Sequence, residues 1–243
     1  MSQYALTAIK YLYELEEHKK HLIQKVINEV VLPESGLIII VDSEDYDSNI
    51  YPSWGDLGLH MNLSNGIEDI SPPYLYDLMV SRKYSNIVWL SGRTSKDIPT
   101  LVWSLSHELR HYYQDSISSI ISRCGYFLYH TMGFIDSNFT YMDLPHEVDA
   151  ELFGWEISKK VLGEEVAEEF IQKMINRYPS YAKLREFKER AEYNMIKELI
   201  NVLKKYKNEL MIAQILDHAD EITRQFKISQ EINNLEYLLL YGR

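Results

Sequence analysis

The sequence predicts an α+β protein, mainly helical, in which a small antiparallel sheet packs on one central helix and a helical region closes the chain. Three observations carry this. Apolar residues recur at helical spacing over residues 4–31 and again from Ile98 to about Ile121. Between these segments stand short β-branched runs bounded by turn residues. After Gly163 almost everything reads as helix, with charged faces alternating with apolar stripes.

Taken in order, the first helix is expected to end near Val31, because Pro33 and Gly36 interrupt its pattern. The strand candidates are GLIIIVD (36–42), LGLHMNL (57–63) and NIVWLSG (86–92). Between the first two, DSEDYDSN resembles the start of a calcium loop, but Ile50 stands where its glycine belongs and Asp56 where its glutamate belongs. A solvated acidic turn is the better reading. The central helix opens with Pro99 in its first turn, where the missing N–H costs nothing. Residues 122–145 mix Gly125, Gly133, Asp136, Ser137 and Asn138 with aromatics and read as an irregular connection. A further helix starts near His146. The change of texture sets two regions, 1–163 and 164–243, with no internal repeat.

The 243 residues suffice for a sizeable core, and 46% hydrophobic with 25% charged residues is ordinary for a folded chain. A net charge of -11 opposes nucleic-acid binding, which needs Lys and Arg to neutralise phosphates. The single Cys124 cannot form an internal disulfide, and the N-terminus lacks the basic-then-apolar signature of an export signal. No apolar run approaches the roughly 20 residues that cross a bilayer. A cytoplasmic protein without membrane contact is expected.

The stretch WSLSHELRHYYQ (103–114) carries the chemistry. At 100° per residue, Val102, Leu105, Leu109, Tyr113, Ile117 and Ile120 fall within one arc of about 120°, the core-facing stripe. His107 and His111 lie off that stripe and share a face one turn apart, as two ligands of one metal ion must. Chance alone gives a His-Glu-x-x-His in roughly one such sequence in forty. A catalytic zinc with two imidazoles needs a third protein ligand and leaves one position open. HEVDAELFGWE (146–156) supplies it: Glu147, Ala150, Glu151 and Gly154 share a helical face, and the small residues let another helix approach closely.

These residues resemble the gluzincin metallopeptidases, in which a His-Glu-x-x-His helix is followed by a second helix bearing Glu-x-x-x-Asp or a close relative. Within that group, residues 86–160 are most similar to the ImmA/IrrE-like peptidases: NIVWLSG stands for the strand, TLVWSLSHELRH for the helix and EVDAELFGWEI for the second segment. Arg110 replaces a common glycine, Glu151 stands where Asp or Asn is usual, and residues 112–146 separate the two motifs.

The resemblance implies a minimal gluzincin-like core and a zinc-dependent peptidase. His107, His111 and Glu147 would hold Zn2+, with nitrogens at about 2.0–2.1 Å. Glu108, 100° around the helix from His107, would act as general base. Glu151 would accept the remaining N–H of a ligand histidine. An oxyanion donor is expected from the connection before the second helix, among Tyr141, Tyr129, His130 and His146, with Tyr141 preferred. NIVWLSG would hold an extended protein or peptide substrate by main-chain pairing. The C-terminal helices offer surface for a partner to dock. The rival reading is a non-catalytic, zinc-stabilised interaction protein whose closed site would take His146 as fourth ligand.

Overall fold

A computed structural model describes residues 8–33, 36–43, 57–63, 74–187, 192–216 and 226–242. The acidic segment read against a calcium loop lies almost entirely outside the described residues. The chain divides into two compact units, Met1–Tyr113 with Phe153–Phe170, and Gln114–Leu152 with Ile171–Arg243.

The first unit is built on a four-stranded sheet. Its strands are β1 (Ala8–Tyr11), β2 (Leu37–Val41), β3 (Gly58–Asn62) and β4 (Asn86–Leu90), in the order β1-β2-β4-β3. The first two neighbouring pairs are parallel and only β3–β4 is antiparallel. The expected antiparallel sheet is therefore a mixed one. The reason is connectivity: α1 (Glu17–Glu29) lies between β1 and β2, and α2 (Tyr74–Ser81) precedes β4, and helical crossovers make parallel neighbours.

All five residues of β2 and of β4 are buried, because both faces of the sheet are covered. Leu37, Ile39, Val41, Val88 and Leu90 pack with Ile23 and Val26 of α1 and with Leu101, Val102, Leu105 and Leu109 of α3 (Ile98–Ile117). The alternate residues Ile38, Ile40, Ile87 and Trp89 pack with Leu75 of α2. Buried Asp42 follows β2 and accepts hydrogen bonds from Trp89 Nε1 (3.1 Å) and the Tyr74 hydroxyl (2.8 Å). The sheet thus packs on the helix that carries the two histidines, as expected.

The expected helix over 4–31 is corrected within the described residues. Residues 8–11 form β1, and the helix begins only at Glu17. AIKY is too short for its period to separate strand from helix, and pairing with β2 decides. Ile9 and Tyr11 then face one cluster and Ala8 the other, the two-residue alternation of a strand.

The second unit is helical. Here the irregular connection expected over 122–145 is corrected: α4 runs Ser119–Ile135, capped by the Ser118 side chain. The central helix accordingly ends at Ile117 rather than Ile121. Ile121, Cys124, Phe127, Leu128 and Met132 of α4 are buried, and Phe127 stacks on Phe226 at 4.1 Å between ring centroids. Their partners are Leu199 and Leu203 of α7 (Met195–Lys205), Leu210 of α8 (Lys207–Ile215) and Leu235 of α9 (Ile228–Tyr241).

Helices α5 (Pro145–Leu162) and α6 (Glu164–Arg177) are also among the described residues, with a 3₁₀ segment over Pro179–Glu186. Gly163 ends α5 with φ +95, a conformation that glycine adopts without a Cβ penalty. The division between units passes within α3, α5 and α6, each an uninterrupted helix. No helix among the described residues is long and apolar enough to cross a membrane.

Candidate metal centre

Helix α3 sets the two histidines. Every residue from Leu101 to Leu109 is buried, so the core is wider here than the expected stripe, and Ile117, expected within it, is 40% exposed. His107 is buried and His111 half-buried. Their rings lie 4.6 Å apart at 80°, and the two Nε2 atoms approach to 2.9 Å. Two imidazole nitrogens at that separation share either a proton or a cation. Nitrogens bound to one tetrahedral zinc stand about 3.3 Å apart, so a small opening of the pair admits the ion.

Helix α5 sets the carboxylate. Pro145 occupies the helix start and Glu147 its first turn, which favours an acidic side chain. Gln114, one turn beyond His111 on α3, donates from Nε2 to the His146 carbonyl (2.9 Å) and to Asp149 Oδ2 (2.8 Å). This buried amide, which sequence reasoning missed, fixes the turn that carries Glu147.

Among the described residues, His107, His111 and Glu147 form a group in which each offers one ligand atom, and those atoms all lie within 4.8 Å of one another. Two imidazoles and one carboxylate form a donor set suited to a divalent metal ion that keeps an open position. The three residues could hold such an ion, and the residues present fit it.

The surroundings hold Glu147 in place. The Tyr141 hydroxyl donates to Glu147 Oε2, and His146 Nε2 stands 3.1 Å from Oε1. Tyr141 sits in a short 3₁₀ turn closed by a reciprocal cap between Thr140 and Asp143. Burial and the Glu147 charge keep its phenol protonated far above the usual range, so it acts as a donor. Glu151 is buried and accepts from the Tyr181 hydroxyl at 2.9 Å, a partner with no signal in the spacing. Burial, then the Glu151 charge, pushes the Tyr181 phenol up as well.

His146 owes its place to Gly125. A Cβ there would meet His146 Nε2 at 2.6 Å, with other ring atoms at 2.7 Å. Gly125→Ala displaces the ring and is expected to lower stability by about 1 kcal/mol, the overlap exceeding the gain in helix propensity. Metal affinity should fall about 10–100-fold, because the ring beside Glu147 moves. Thermal unfolding and metal titration check both.

The other named residues are placed as follows. Glu108 is buried, and Gly58 of β3 lies against it: a Cβ at Gly58 would come within 2.8 Å of Glu108 Cγ. Gly154 takes Trp103 of α3 at 3.2 Å from its would-be Cβ, the close helix approach its size allows. His130 and exposed Tyr129 stand on α4, His130 packing against Tyr126 and Tyr129, and His146 is outside the three-residue metal group. The strand expected to pair with substrate, β4, is flanked on both sides by β2 and β3, so its main chain is already used. The terminal strand beside Glu108 is β3.

Compared with protein-family models, with curated proteins and with solved structures, the chain matches none.

Proposed function

We propose that the protein is a zinc-dependent peptidase of the gluzincin type, with His107, His111 and Glu147 as metal ligands and Glu108 as general base. The observation that supports this best is the gathering of those three donors, from two motifs far apart in sequence, within 4.8 Å. When bound, zinc supplies Lewis acidity, which makes water a nucleophile near neutral pH and polarises the scissile carbonyl.

The chain's own groups do the rest. The Glu108 carboxylate accepts a proton from the attacking water as the C–O bond forms, then delivers it to the amine nitrogen as the C–N bond breaks. Burial of Glu108 keeps bulk water from competing for that proton. An extended peptide adds to the β3 edge, which brings its backbone past Glu108. Main-chain pairing selects unfolded or flexible protein segments. The net charge of -11 argues against nucleic acid as a substrate. Buried Cys124, its thiol pushed up by burial, fits the reducing cytoplasm.

The rival closed zinc site requires a fourth protein ligand, and among the described residues the group has three. Tyr141→Phe separates two roles for that hydroxyl. As a positioning residue on Glu147 its loss weakens metal binding about 10–100-fold. As an oxyanion donor its loss lowers kcat about 10²–10³-fold with metal binding intact. The hydrogen bond favours the first outcome. Cleavage of an unfolded protein by the zinc-loaded chain, abolished by chelation and restored by zinc, tests the reading; inactivity of a fully zinc-loaded chain would refute it.

A further inference from the structure

The second unit holds a cavity that the metal centre does not use. Its volume is about 480 Å³, within the range of small-ligand sites, and no metal ligand lines it. Four aromatic residues line it: Phe139, Phe187, Tyr193 and Tyr206. They stand in two edge-to-face pairs, Phe187–Tyr193 at 4.8 Å and 76°, and Phe139–Tyr206 at 6.1 Å and 84°. Four aromatic rings lining one space offer π surface on which an organic cation can rest.

The charges agree. Asp136, Asp143, Glu186 and Glu198 line the cavity against Lys183 and Lys205. Lys183 is paired with Asp143, and the Lys205 ammonium stands 4.6 Å from the Tyr206 ring centroid. The two cations are therefore committed to partners in the chain, which disfavours an anionic ligand. Glu186 and Glu198 then set the sign of the remaining field, which is negative.

We propose that this cavity is a binding site for an alkylguanidinium or alkylammonium group, its stem packed on the aromatic rings and its charge met by Glu186 and Glu198. The ligand is either a free amine or the side chain of an arginine or lysine in a peptide. The site stands apart from the peptidase reading and holds whether or not the metal centre cleaves anything.

Calorimetric titration of the full chain with Nα-acetylargininamide, and with the blocked peptide Ac-Ala-Ala-Arg-Ala-Ala-NH2, tests it, with Nα-acetylcitrullinamide as the uncharged isostere. Saturable binding of one or both cationic probes is expected, with Nα-acetylcitrullinamide weaker by at least about tenfold. Binding of the acetylated amide alone identifies a small free cation as ligand, and binding of the peptide identifies a side chain. Glu186→Gln with Glu198→Gln changes charge without changing shape, and Phe187→Leu removes a ring but keeps apolar volume; each is expected to weaken binding about tenfold. Absence of saturable binding with both cationic probes, equal binding of Nα-acetylcitrullinamide, or full affinity in both variants overturns the proposal.

Discussion

Glu108→Gln is expected to leave metal binding at the wild-type level and to lower peptide hydrolysis about 10²–10⁴-fold. The substitution keeps the size of a buried side chain that lies against Gly58, so packing between α3 and β3 is preserved. It removes only the ability to take and return a proton. The three ligand residues are untouched, which separates this effect from loss of metal. Single-turnover cleavage of an unfolded protein substrate, with zinc content measured on the same sample, reads both quantities. Full activity in the variant would remove Glu108 from the mechanism, and loss of zinc would make it part of the metal site instead.

Phe127→Ala should cost about 3–5 kcal/mol of stability, measured by denaturant unfolding. Phe127 is fully buried on α4 and lies nearly flat on Phe226, with an interplanar angle of 9°. Truncation leaves a ring-sized cavity among Leu199, Leu203 and Leu235, on helices that cannot close around it without moving. Had residues 122–145 formed the irregular connection their glycines suggested, the same change would cost little. The size of the loss therefore reports whether α4 is the centre of the helical core.

The particular elements show where sequence patterns carry information. The donors that could hold a metal were legible because each motif is local: one helical turn puts His107 and His111 on one face, and a second helix start supplies Glu147. The strands β2 and β4 were legible because burial on both faces demands continuous apolar runs. What failed depended on distant partners. Residues 8–11 are a strand only because β2 pairs with them, and a four-residue run has no period of its own. The order β1-β2-β4-β3, which puts β3 rather than β4 at the edge beside Glu108, is a property of crossovers and not of any single segment.

Glycine misled for the same reason. Gly125 lowers the helix propensity of its own segment, yet it stands inside α4 because the His146 ring occupies the space a side chain would need. Gln114 and Tyr181 gave no signal because their roles exist only through partners 35 and 30 positions away, Asp149 and Glu151. Short-range spacing finds candidate donors, whereas the groups that brace the helix around them come from tertiary packing.

The central claim is that one divalent cation sits on His107, His111 and Glu147. Zinc titration of metal-stripped protein, with X-ray absorption of the loaded form, measures this directly. The account predicts one zinc per chain in a shell of nitrogen and oxygen donors with two imidazoles, lost in His111→Ala and in Glu147→Ala. Failure of the intact chain to bind zinc, or retention of the same affinity and the same two-imidazole shell in both variants, would contradict it.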